Sequence, residues 1–346
     1  MTKSSLIFIG IVALAGCSPG GGKTPIVVYS PHGKEMLAEF EQRFEAVHPD
    51  VDVQWLDMGS QDAYDRVRTE KDNPQADIWW GAPITAFQRA EEEGLLQHYI
   101  PTWDSAEPPE FKSPAGYYYG TFITPEVIMY NTEMLAPGEV PNDWDALLDP
   151  RWRDKILIRY PLASGTMRII FCALIQREIA RTGDSTSGFQ WLQRLDANTK
   201  TYVADPTQLY LRVARQEAPL TVWDLPDVQL QVEVNHYPFG YVIPAGGTPL
   251  VTDCIAIVKG AKHPEQARAF YEFVTSQESM IRQAAGFYRI PTRRDIPASS
   301  LPQWISKLTL RPMHVDWSNI ALHERSWMKE WDEQVKGSGK RLLTSP

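Results

Sequence analysis

Residues 25–47 read PIVVYSPHGKEMLAEFEQRFEAV. Pro25 to Ser30 is an apolar run of strand length, and from Lys34 the apolar residues recur with helical spacing. The pair is a β-strand turning into an amphipathic helix across Ser-Pro-His-Gly. The same unit repeats downstream. Strand-like VDVQWLDM (51–58) precedes helical SQDAYDRVRTEK (60–71), and strand-like ADIWWGA (76–82) precedes helical ITAFQRAEEEGLL (84–96). Three successive βα units predict a mostly parallel sheet with helices on both faces.

A Pro-rich interval, PTWDSAEPPEFKSPAG (101–116), breaks this rhythm. It restarts at EVIMYN (126–131) and runs through DWDALLDPRW, KILIRY, a long helix opening at PLASGTMR (161–168), FQWLQRL, TYVAD, PTQLYLRVARQ, LTVWDL and FGYVIPAG. A last apolar run, PLVTDCIAIVKG (249–260), precedes helical PEQARAFYEFVTSQESM (264–280); the tail beyond Leu301 is helical and bears Trp. The 346 residues suit about two domains. No internal repeat is visible.

Apolar residues make up 43% and charged residues 22%, ordinary for a globular chain. A net charge of −9 argues against nucleic acid as a partner. Twelve Trp are many, and aromatic faces suit stacking on ligand rings as well as packing. The first residues, MTKSSLIFIGIVALAGCSPGGGK, place Lys3 before an apolar run from Leu6 to Ala15. That run is too short to span a membrane and reads as an export signal. Leu14-Ala15-Gly16-Cys17 resembles a bacterial lipobox, which implies a signal over 1–16, a lipidated Cys17 and a tether over 17–24. Cys172 and Cys254 sit in apolar runs (RIIFCALI, DCIAIV) and read as buried thiols, with a disulfide open in an exported chain.

In open α/β sheets, ligands sit beyond the carboxyl ends of strands, at helix starts. Ser30 and His32, Trp79 and Trp80, Ser164 to Thr166, Asp205, and Trp223 with Asp224 all fall at such ends. In PLASGTMR, a helix start offers free backbone N–H groups and the positive end of the dipole. Ser164 and Thr166 add hydroxyls, and Gly165 gives a ligand room to approach. The same residues also suit a plain N-cap. Asp253 interrupts the apolar run PLVTDCIAIV, which favours a cleft position, since a buried carboxylate is costly unless paired. Strand alternation sends one of Trp79 and Trp80 into packing unless both line the cleft.

Lipobox, tether and two α/β units together resemble the solute-binding lipoproteins of bacterial ABC importers. The most specific stretches are residues 27–49, 76–96, 161–168 and 247–278. They are similar to the branch that contains ferric-ion, sugar-phosphate and phosphonate binders. The resemblance implies a type II periplasmic-binding fold, with two α/β lobes joined by crossover strands and the ligand cleft between them. Placed on this chain, the first lobe covers 25–122 and 247–280 and the second 123–246 and 281–346. It further implies that Ser164, Gly165 and Thr166 hold a phosphate group. Ser30, His32, Trp79, Trp80, Asp205, Trp223, Asp224 and Asp253 would line the rest of the cleft. The expected solute is a phosphorylated sugar or polyol, or an organophosphonate whose amine would meet the carboxylates.

The expected setting is an exported monomer, held at the membrane through Cys17 and handing its solute to an inner-membrane permease. A ferric-ion binder or a ligand sensor of the same fold are the alternatives. Ferric binders of this branch use a His, a Glu and a Tyr pair. Here His32 is displaced by one residue, the Glu position reads Ala82, and the Tyr pair falls on Leu225-Pro226. Tyr117 to Tyr119 lie in the Pro-rich interval and read as packing. No metal and no cofactor are expected. Catalysis is poorly supported: no G-x-S-x-G surrounds Ser164, no P-loop appears, GGGK (20–23) lies in the tether, and no H-E-x-x-H occurs.

Overall fold

A computed structural model describes residues 22–339. The expected signal and Cys17 lie outside the described residues. Along the chain run β1 (Thr24–Ser30), α1 (Lys34–Val47), β2 (Val51–Asp57), α2 (Ser60–Thr69), β3 (Ile78–Pro83) and α3 (Ile84–Glu92). The Pro-rich interval forms short turns rather than regular elements. Then come β4 (Tyr119–Asn131), β5 (Ile156–Arg159), α4 (Gly165–Thr182), α5 (Ser185–Asn198), β6 (Thr199–Val203), α6 (Pro206–Ala214), β7 (Leu220–Asp224), α7 (Leu225–Asn235) and β8 (Phe239–Val242). The chain closes with β9 (Leu250–Ile257), α8 (Pro264–Val274), α9 (Gln277–Phe287), β10 (Ile290–Pro291), α10 (Gln303–Lys307) and α11 (Trp317–Glu330).

The strands join in the order β2-β1-β3-β9-β4-β7-β5-β6. β1 pairs in parallel with β2 and β3, and β5 in parallel with β6 and β7. The centre is different. β9 runs antiparallel to β3 and to β4, and β4 antiparallel to β7. The expected parallel units therefore form two flanks, and two antiparallel strands stitch them together. β4 does this within its own length: residues 119–125 pair with β9, whereas 126–131 pair with β7 and β8.

Each flank has its own core. On one side, Phe40 and Phe44 of α1 and Phe270 and Tyr271 of α8 cover one face of β1 and β3, while Tyr64, Phe87 and Ala90 of α2 and α3 cover the other. On the other side, α4, α5 and α11 pack over β4, β5 and β7, with Ile170, Leu192, Trp327 and Trp331 buried together. This is a two-lobed α/β architecture. The expected boundary between 280 and 281 falls inside α9, whose Phe287 packs with the first core. Cys172 and Cys254 are buried free thiols.

Candidate functional site

A cavity of about 440 Å³ opens where the carboxyl ends of β1, β2, β5, β6 and β7 converge over the two stitching strands. His32, Ser164, Gly165, Thr166, Asp205, Trp223, Asp224 and Asp253 all line it. Five separate segments of the chain, two of them strand residues of β7 and β9, thus bring eight of the eleven expected residues to one place.

The other three lie elsewhere. Ser30 is fully buried at the end of β1, where its Oγ accepts the backbone N–H of His32 at 3.3 Å. Trp79 and Trp80 are both fully buried and neither lines the cavity. Trp79 stacks on Phe87, with ring centroids 4.0 Å apart, and donates its Nε1–H to the Gly81 carbonyl. Trp80 meets Phe40 and His32 edge-on. The reason is that helices cover β3 on both faces, so strand alternation delivers each indole to a core rather than one to the cleft. Trp223 is the Trp that remains on the cavity wall.

The anion end is built by β5 and α4. Ser164 is the N-cap of α4, and its Oγ accepts the Met167 backbone N–H at 3.2 Å. The N-cap reading is therefore correct as far as it goes. It leaves the Ser164 hydroxyl hydrogen and the backbone N–H groups of Gly165 and Thr166 without an intrahelical partner, and all three residues line the cavity. The glycine has a different reason from the one expected. A Cβ on Gly165 would fall 2.9 Å from Cδ of Pro83 and 3.0 Å from Cβ of Ser60. Its lack of a side chain lets the first lobe, as much as a ligand, come close.

Arg159, at the end of β5, completes this end. Its guanidinium donates to the carbonyls of Val203 at 3.3 Å and Ala163 at 3.4 Å, and Nε has no partner. No carboxylate lies within ion-pair distance among the described residues, and burial lowers its pKa from the usual range. Asp205 and Asp62 on the same wall act on it at longer range, and a guanidinium with two long carbonyl contacts and no ion pair can take an anion.

The opposite end is acidic. Asp224 caps α7 by accepting the Asp227 backbone N–H at 2.9 Å. Asp227 accepts from Tyr210 Oη at 2.8 Å and Trp223 Nε1 at 3.2 Å. Asp253 accepts the Thr124 hydroxyl at 2.8 Å, and burial pushes its carboxyl up to about 6. Beneath them, Glu126 is fully buried on β4, opposite Asp224 in register, and both of its carboxyl oxygens lack a partner. Burial, then repulsion from Asp224, Asp253 and Asp227, drives its pKa well above the carboxylate range. Among the described residues, the cation that answers this cluster is Arg289, which stacks 4.9 Å over Phe122 and reaches Asp227 at 3.5 Å.

His32 sits between the two ends. Gly81 has φ +99°, and a Cβ there would fall 2.2 Å from the imidazole Cε1, so only glycine lets the ring lie against β3. Burial, then the nearby Arg289, depresses its pKa well below the usual value. The ring is neutral, with an unpartnered Nε2.

Sequence reading missed Arg159 and Arg289, together with Asp57, Asp227 and Thr124, all on the cavity wall. Arg159 carried a signal: it ends the apolar run KILIRY, at the same topological position as the other candidates. Arg289 carried none. The positions that match the ferric Glu and Tyr ligands carry no side-chain oxygen: Ala82, Leu225 and Pro226 are apolar and buried.

A two-flank sheet stitched by antiparallel strands, with a charged cleft over the stitch, defines a solute-binding protein. The model of the family described as "Bacterial extracellular solute-binding protein" matches residues 35–312, and the chain belongs to that family. It is 26% identical over 336 residues, covering 94% of this chain and 90% of the relative, to the "Probable ABC transporter periplasmic-binding protein y4fP" of Sinorhizobium fredii. It is also 26% identical, over 96% of this chain and 94% of the relative, to the "Putative 2-aminoethylphosphonate-binding periplasmic protein" of Salmonella typhimurium. Among solved structures, the periplasmic binding protein AfuA of Actinobacillus pleuropneumoniae, with fructose-6-phosphate bound, superposes with a TM-score of 0.79 at 25% identity, over 91% of this chain and 100% of that one.

Proposed function

We propose that this protein captures a small organic solute with a phosphoryl or phosphonyl head and delivers it to an ABC permease. The head sits on the first turn of α4, taking N–H groups of Gly165 and Thr166, the hydroxyls of Ser164 and Thr166, and the Arg159 guanidinium. The body of the solute crosses the neutral His32 and the Trp223 wall. Its far end meets Asp224 and Asp253, which suit the hydroxyls of a sugar or polyol or the amine of an aminoalkylphosphonate. Ligand groups that touch both lobes stabilise their approach, and the closed form is what the permease reads. The observation that carries this reading is Arg159, a buried cation without a carboxylate partner, beside a free helix start in the same cavity.

Three of the relatives support the reading, although others on the same fold are named for iron. One is described as an ABC transporter component and one as an aminoethylphosphonate binder, and AfuA holds a sugar phosphate. Cys17 would anchor the exported chain to the membrane.

The test is calorimetry on purified protein with 2-aminoethylphosphonate, fructose 6-phosphate, other sugar phosphates, dicarboxylates and ferric citrate. Binding confined to phosphoryl or phosphonyl compounds is expected. A coloured stoichiometric ferric complex, or binding of dicarboxylates alone, overturns the reading.

A further inference from the structure

Behind the anion end, three helices meet on one carboxylate. Glu324 of α11 is almost fully buried. Its Oε1 lies 3.4 Å from Nη1 of Arg89 on α3 and 3.3 Å from Nη1 of Arg168 on α4, and its Oε2 accepts the Thr85 hydroxyl of α3 at 3.1 Å. Both arginine side chains are about nine-tenths buried, and Nε of each lacks a partner.

The two guanidiniums belong to different lobes. α3 packs through Ile84, Phe87 and Ala90 in the first core. α4 and α11 pack together in the second, through Ile169, Ile320, Trp327 and Met328. Glu324 sits on the same buried face of α11 as Ile320, Trp327 and Met328, one turn from each. Thr85 and Arg89 are likewise one turn apart, so a single face of α3 reaches over to α11.

Arg168 ties this cluster to the cleft. Its Nη2 donates to the Leu162 carbonyl at 2.8 Å, and Leu162 lies two residues before the Ser164 cap. A small void of about 10 Å³ separates cluster and cleft, and its walls include Ser60, Pro83 and Gly165, which also form the close approach of the lobes.

We infer that Glu324 is an interlobe pin: it holds α3 of the first lobe against α4 of the second and, through Arg168, positions the anion loop. Three points support this. Buried ion pairs contribute little net stability compared with apolar packing, so their value lies in fixing one arrangement. The cluster has one carboxylate for two guanidiniums, which leaves a positive charge directly behind the anion-binding turn. The partners sit on helices of different cores, so any movement that parts α3 from α11 would separate Arg89 and Thr85 from Glu324 and expose the charges to water. The second half of the inference rests on the proposed anion site; the first half does not.

The experiment compares wild type with Glu324→Gln and Arg89→Met. Arg89→Met removes the first-lobe cation and keeps Arg168 and Thr85 on Glu324, so it guards against a variant that fails to fold. Small-angle scattering is recorded without ligand, and affinities for 2-aminoethylphosphonate and fructose 6-phosphate are measured by calorimetry. Both variants are expected to have a larger radius of gyration than wild type and at least tenfold weaker binding of whichever probe the wild type takes. Unchanged scattering from both folded variants overturns the pin, whatever the affinities do. If wild type binds neither probe, the proposed ligand class fails, and scattering alone still decides the interlobe half.

Discussion

Thr124 of β4 donates its hydroxyl to the carboxylate of Asp253 on β9, 2.8 Å away. These are the two strands that stitch the lobes together, so the hydrogen bond lies across the floor of the cleft. It fixes one face of Asp253 and leaves the other to the cavity. A ligand ammonium there would form an ion pair as well as a hydrogen bond, whereas a hydroxyl would form the hydrogen bond alone.

Asp253→Asn keeps an acceptor and removes the charge. For 2-aminoethylphosphonate, affinity is expected to fall by about tenfold or more, because hydrogen bonds to charged groups are worth roughly 1.5–3 kcal/mol. For fructose 6-phosphate, the change should stay within about threefold. Equal losses for both compounds in calorimetry would show that Asp253 does not read ligand charge.

At PLASGTMR, capping and ligand binding are separable. Ser164→Ala removes the bond to Met167 N–H and should cost about 0.5–2 kcal/mol of stability. The double change Ser164→Ala and Thr166→Ala should also weaken binding of a phosphoryl or phosphonyl probe by about tenfold to a few hundredfold. Unfolding curves run beside calorimetry divide the two effects. Full affinity in the folded double variant would make this helix start a cap and nothing more.

The repeated strand–helix units were legible because each strand is bounded by turn residues and each helix shows one apolar face, as α1 does with Met36, Leu37, Phe40 and Phe44. The antiparallel centre was not, because pairing direction leaves no mark on a short buried strand such as β9. Site residues at strand ends were legible by topology, and Ser164, Asp205 and Asp224 also serve as caps that local sequence discloses. Trp79 and Trp80 misled because a strand buried on both faces has no cleft side. Arg289 was invisible because its place in the cavity depends on α9 and β10 delivering it across the sheet to Phe122 and Asp227.

Arg159 distinguishes a binding group from a scaffold group. It is buried without a carboxylate partner, so its charge opposes folding rather than aiding it. Arg159→Met should hold or raise the thermal midpoint of the unliganded protein while weakening a phosphoryl or phosphonyl probe by at least about tenfold. A large loss of stability with unaltered affinity would assign Arg159 to the scaffold.

The anchor is tested on whole cells. Cys17→Ser should abolish membrane fractionation and the diacylglyceryl mass increment of the mature protein. Unchanged fractionation, with no lipid mass on the wild type, would remove the lipid anchor.

Stability should depend on pH through buried carboxyls, and one of them, Glu107, does not line the cavity. Glu107 lies behind the sheet, so close to β4 that a Cβ on Gly120 would fall 2.8 Å from its Oε1. Burial pushes its pKa from 4.5 up to about 8, with Thr292, Arg293 and Lys112 offsetting only part of the effect. The folded state therefore binds this proton more tightly than the unfolded chain does. Below pH 4.5 both states are protonated, and the stabilising effect is fully present. Between 4.5 and about 8 the unfolded chain ionises first, so stability falls as pH rises. The slope per carboxyl approaches about 1.4 kcal/mol per pH unit. Glu126 and Asp224, also raised by burial, add slopes of the same sign. Glu107→Gln removes one of these contributions and keeps the neutral shape. Urea unfolding between pH 5 and 8 should give a shallower decline for the variant by about one proton's worth, and greater stability than wild type at pH 8. Parallel curves for the two proteins would mean that Glu107 is ionised in the folded state and that its enclosure is compensated by the neighbouring cations.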